Sequence, residues 1–89
     1  MRASHGNKGP LHGITVVVDA GDELWIGRCD EVTEAGVVLK DADVHREVEG
    51  REAYLAKAAQ FGHWPRVPLT IVPSARVRSI EKLDDLSVG

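Results

Sequence analysis

Ile14 to Val18 is an unbroken run of β-branched residues, closed by Asp19. Side chains branched at Cβ lose rotamer freedom in a helix and pack well on a pleated surface, so this run predicts a strand. Ala20-Gly21-Asp22 follows as a turn, and Glu23 to Val32 reads as a second strand. Within it Leu24 and Ile26 share one alternation phase, while Trp25, Gly27 and Cys29 share the other. A glycine inside a strand marks a bulge or sharp bend, and a bend lets both sets be buried in different places. Thr33-Glu34-Ala35-Gly36 is the next turn, before a third strand from Val37 to Val44.

The periodicity then changes. Arg51 to Phe61 (REAYLAKAAQF) is rich in helix formers, with Tyr54, Ala58 and Phe61 at helical spacing, Leu55 beside them, and Gly62 suited to end the helix. A fourth strand runs from Arg66 to Val72, Pro73-Ser74-Ala75 turns tightly, and a fifth strand runs from Arg76 to Leu83. Pro68 cannot donate to a ladder, so the fourth strand belongs at an edge, or this residue faces away from its neighbour. The expected fold is mainly β: a small five-stranded, strongly bent barrel with a short helical insertion, about residues 51–61, between strands 3 and 4. Residues 1–10 read as a loose polar arm, 11–83 as the barrel domain and 84–89 as a frayed tail.

Eighty-nine residues make one domain with a thin core, for which oligomerisation is a natural supplement. The only aromatics besides histidine are Trp25, Tyr54, Phe61 and Trp64, so the core is mostly aliphatic. A net charge of −3 removes the argument from a strongly basic domain for nucleic-acid binding, but leaves room for a local basic patch. The one cysteine, Cys29, has no intrachain disulfide partner and points to a reducing interior. The first ten residues lack the apolar core of a secretory signal, and no apolar run is long enough to span a bilayer. The expected setting is the cytoplasm, with no membrane partner.

The strand and glycine pattern resembles the Sm and Sm-like (LSm) family. The resemblance rests on Val16 and Val18, Gly21, Leu24 and Ile26 before Gly27, Val32, and Val37 with Leu39. It continues in Ile71-Val72, the Pro73-Ser74 turn, Val77 and Ile80. Other SH3-like barrels present a similar string. The resemblance implies a barrel whose fourth strand pairs with the fifth strand of the next subunit, closing a homo-oligomeric ring. Leu69, Ile71, Val77 and Ile80 are then the candidate interface residues. The alternative is a monomer whose edges are covered by the helix.

RNA-binding members of the family use an Asp and an Asn in the turn after the bent strand, and an Arg-Gly pair between the last two strands. Here those positions fall on Thr33, on or near Gly36, and on Pro73-Ser74. The base-edge hydrogen bonders and the stacking cation are replaced, and Glu31 and Glu34 make the first turn acidic. Single-stranded RNA stays a candidate ligand through the pore-turn positions Thr33, Gly36 and Ser74 with Arg76 and Arg78. The two arginines alternate with Val77 and so share one face if this stretch is a strand.

No other constellation carries chemistry. His5, His12, His45, His63 and Cys29 form no CxxC or HxxxH pair. Gly6-Asn7-Lys8-Gly9 lacks the flanking strand and helix of a phosphate loop. Cys29 sits mid-strand and reads as a core thiol rather than a nucleophile. Phe61-Gly62-His63-Trp64-Pro65 is either a contact patch or, more commonly for such a stretch, a cap over the barrel's open end. These observations predict no enzyme, no cofactor and no metal. Two functions remain open: a ring-forming binding module with RNA as ligand, and a ring-forming scaffold that meets another protein through the insertion.

Overall fold

A computed structural model describes residues 11–47 and 49–86. The expected arm, 1–10, and the end of the tail, 87–89, lie outside the described residues. The elements in chain order are β1 (Thr15–Asp19), β2 (Leu24–Val32), β3 (Gly36–His45), α1 (Arg51–Phe61), β4 (Val67–Pro73), a 3-10 turn (Ser74–Arg76), β5 (Ser79–Lys82) and a second 3-10 turn (Leu83–Leu86). The strands form one antiparallel sheet in the order β4-β3-β2-β1-β5. β4 and β5 each pair on one side only, so the sheet is open. Pro68 lies on an edge strand, where its missing N–H is tolerated.

The sheet cannot be flat. Pro73 ends β4 opposite Gly36 at the foot of β3, while Ser79 begins β5 opposite Asp19 at the head of β1. On a flat sheet these corners would stand on the order of 30 Å apart, from strand spacing and rise alone. Residues 74–78 can span at most about 20 Å, and their 3-10 start shortens that reach. The sheet therefore curls. β2 absorbs the curvature through register shifts between Ile26 and Arg28 and between Cys29 and Glu31. Gly27 sits at the first shift, where an added Cβ would stand 2.9 Å from the Ala42 Cβ and 3.2 Å from that of Leu39.

Curling creates two buried layers. One face gathers Val16, Val18, Trp25, Cys29, Val37, Leu39, Ala42 and Val72. The other gathers Val17, Leu24, Ile26, Ala58 and Leu83, with Tyr54 and Leu55 packed against them. β1 is thus covered on both sides, which is why its apolar run does not alternate with polar residues. The two phases of β2 separate as expected: Leu24 and Ile26 on one face, Trp25 and Cys29 on the other.

The helix holds to the second face through polar anchors as well as packing. Arg51 donates to the Gly21 carbonyl and lies 3.6 Å from the Asp19 carboxylate. Tyr54 donates its hydroxyl to the buried Asp43 carboxylate at 3.0 Å, and its ring stacks on His45 with centroids 4.8 Å apart. The apolar stripe expected on this helix stops early. Ala58 is buried but Phe61 is 77% exposed, and Trp64 is 68% exposed, so neither aromatic caps the core. The fifth strand also differs from expectation. Ser74 to Arg76 is a 3-10 turn and pairing begins only at Ser79, so Arg76 and Arg78 do not alternate along a strand. The second 3-10 turn takes in Asp84 to Leu86, the described part of the expected tail.

Candidate nucleic-acid interface

The β2–β3 turn and the link after β4 meet at one end of the sheet. Thr33 closes its turn by a reciprocal backbone pair with Gly36, at 2.8 and 3.1 Å. Its hydroxyl accepts from the Ala35 N–H at 3.1 Å and lies 3.2 Å from the Gly36 carbonyl. Ser74 donates its N–H to the Ala35 carbonyl at 3.0 Å, which joins the two turns. The structure therefore brings Thr33, Gly36 and Ser74 together. It also gives the first two local duties: the Thr33 hydroxyl is used within its own turn, and Gly36 carries the chain past the Val72 carbonyl, where a Cβ would overlap it.

The two arginines are held elsewhere. Arg76 donates to Asp22 at 2.8 Å and lies 3.7 Å from Glu23, so its charge is offset at the β1–β2 turn. Arg78 donates its backbone N–H to the Asp19 carbonyl at 2.7 Å, and its guanidinium lies over Gly21. Its side chain pairs with no carboxylate among the described residues. The proposed interface residues divide similarly. Leu69 is 62% and Ile71 46% exposed, while Val77 and Ile80 are partly buried against the first apolar layer.

Sequence reasoning missed an open depression of about 390 Å³ lined by His12, Arg28, Cys29, Asp30 and Lys40. Its charges are internally matched, with Lys40 3.5 Å from Asp30 and Arg28 3.4 Å from Asp41. Burial, and then the charge of Asp30, push the Cys29 thiol up from its ordinary value, which disfavours the thiolate. His12, His45 and His63 each bond a backbone carbonyl, of Asp30, Glu49 and Asp41, at 2.6, 2.8 and 2.6 Å. His5 lies outside the described residues, among which no cluster of three or more His, Cys, Asp or Glu could hold a metal ion. Among them, too, no helix is long and apolar enough to cross a membrane. No protein-family model, curated protein or solved structure matches the chain.

Proposed function

We propose that the chain is a non-enzymatic Sm-like subunit of a homo-oligomeric ring, in which β4 of one copy pairs with β5 of the next. The observation that carries this reading is the β4 edge. Natural edge strands are guarded by charge, proline, bulges or cover, because their unpaired backbone groups recruit other strands. Val67 to Pro73 has proline only at Pro68 and at its last residue, carries no charged residue, has backbone open on one side, and exposes Leu69 and Ile71 between the two prolines. Pairing with a neighbour's β5 would satisfy that edge, and Val77 and Ile80, half-buried already, would complete their burial beside it. A closed ring of such contacts leaves no free edge. A reducing, cytoplasmic setting goes with this reading, since Cys29 is a buried free thiol.

Two functions remain attached to the ring. RNA contact would fall to Arg78, which lies over Gly21 away from the joined turns and pairs with no carboxylate among the described residues. A scaffold without RNA at those turns is favoured by the Arg76–Asp22 pair and by the engaged Thr33 hydroxyl. The assembly is tested by charging the edge: Leu69→Lys with Ile71→Lys should convert an oligomer into monomer on size exclusion, with the circular-dichroism spectrum retained. An oligomer of unchanged size would remove β4 from the interface.

A further inference from the structure

The aromatic segment after α1 is absorbed by neither the fold nor the ring. Among the described residues, Phe61 and Trp64 are the two most exposed of the large apolar side chains. Neither stacks on another ring among the described residues. Their backbone is nevertheless firmly built. Gly62, at φ 85°, reverses the chain while its N–H bonds the Ala58 carbonyl at 2.9 Å. His63 is fixed to the Asp41 carbonyl at 2.6 Å, and the Arg66 N–H bonds the Trp64 carbonyl at 2.9 Å. Two aromatic faces are thus held out to solvent on an ordered turn, which lowers the ordering cost of anything that stacks on them.

Charge decides what that partner is. The protein has 14 acidic residues, yet none lies between Ala53 and Ile80, a stretch in which Lys57 and Arg66 flank the two aromatics. Lys57 precedes Phe61 by four residues, and so shares its side of the helix. It pairs with no carboxylate among the described residues. Arg66 follows Trp64 by two residues, and its side chain is 70% exposed with only a long 3.8 Å approach to Asp43. Exposed aromatic side chains flanked by cations, on a chain otherwise net negative, suit a ligand that is aromatic and anionic at once.

We propose that Phe61 and Trp64 are a base-stacking platform for single-stranded nucleic acid, with Lys57 and Arg66 meeting its phosphates. Stacking of this kind tolerates any base, because every base has a π-face, and it needs none of the hydrogen-bonding groups missing from the β2–β3 turn. The site stands apart from the turns joined through Ser74 and Ala35, and it does not depend on the ring.

The test uses the full chain and a labelled oligoadenylate of about twelve nucleotides, within the range one small domain engages. Trp64 fluorescence should be quenched on titration, whereas the buried Trp25 should report nothing in a Trp64→Phe variant. Phe61→Ala and Trp64→Ala should each weaken binding by roughly 5- to 100-fold, and both are exposed enough to leave folding intact. Lys57→Ala with Arg66→Ala should reduce the slope of log affinity against log salt by about 1.4, from about 0.7 per phosphate contact. Absence of salt-sensitive binding at about 50 mM salt overturns the proposal. So does equal affinity in the Phe61 and Trp64 variants, or a loss of self-association in them with RNA affinity unchanged, which would make the patch a protein interface. A monomer showing the expected losses sustains this proposal while overturning the ring.

Discussion

Ser74 donates its backbone N–H to the Ala35 carbonyl oxygen at 3.0 Å, tying the chain that leaves β4 to the turn between β2 and β3. The tie requires β3 and β4 to approach closely where they begin and end, and Gly36 makes that approach possible. Its φ is 154°, and an added Cβ would overlap the Val72 carbonyl oxygen and stand 3.0 Å from the Pro73 Cα. Gly36→Ala should therefore cost about 2 kcal/mol or more, read as a lowered midpoint in urea unfolding. Unchanged stability would mean that the two turns are not packed as described.

Gly27 makes a similar demand inside the curved sheet. A methyl group there would crowd the Ala42 Cβ at 2.9 Å and its Cα at 3.1 Å, both on the neighbouring strand. Gly27→Ala should destabilise by about 1–3 kcal/mol. The same substitution at Gly13, where an added Cβ meets nothing within 4 Å, pays only for its φ of 82°. Equal losses at the two positions would argue against close packing at the bend.

Tyr54 joins the helix to the sheet through a carboxylate that is itself 4% exposed. Tyr54→Phe should cost about 1.5 kcal/mol, because Asp43 loses a hydrogen bond in a buried place. Burial first, and then Asp43, push the phenol well above its ordinary value of 10.0. Below pH 10 the phenol is protonated both folded and unfolded, and this contribution is fully present. As pH rises past 10 the unfolded chain releases the proton while the folded one retains it, and the contribution fades toward the raised value. Unfolding free energies at about pH 8 and about pH 11 should thus fall more steeply in the wild type than in Tyr54→Phe.

Cys29 gives a chemical readout of the same packing. It is buried in the first apolar layer, and its thiol is held protonated by burial and by Asp30. A thiol-specific disulfide reagent at pH 8 should label it on the order of 100-fold more slowly in the folded protein than in urea. Equal rates would place the thiol at the surface.

The strands were legible because each is a local pattern: a β-branched run, a glycine at a bend, a proline at an edge. Of the two readings open for Phe61, contact patch or cap, its 77% exposure excludes the cap, for a physical reason. Helical spacing places Phe61 on the stripe of Tyr54 and Ala58, but spacing does not reveal where along the helix its packing stops, which is after Ala58. Arg76-Val77-Arg78 alternates like a strand. The link from β4 must nevertheless turn back toward β1, and a 3-10 turn with Val77 directed at the core satisfies the same pattern. The meeting of Thr33, Gly36 and Ser74 was expected only from resemblance, since contact between turns depends on strand order. The pairing of Arg76 with Asp22, 54 positions away in sequence, left no local signal at all.

The central claim is that the uncharged β4 edge of one copy is completed by another copy. Its most direct test is the mass of the unmodified protein in solution, by light scattering or sedimentation, from low to high micromolar concentration. The account predicts one species several times the 9.7 kDa chain mass, persisting on dilution. A 9.7 kDa monomer at high micromolar concentration, or a dimer that goes no further, would contradict the ring.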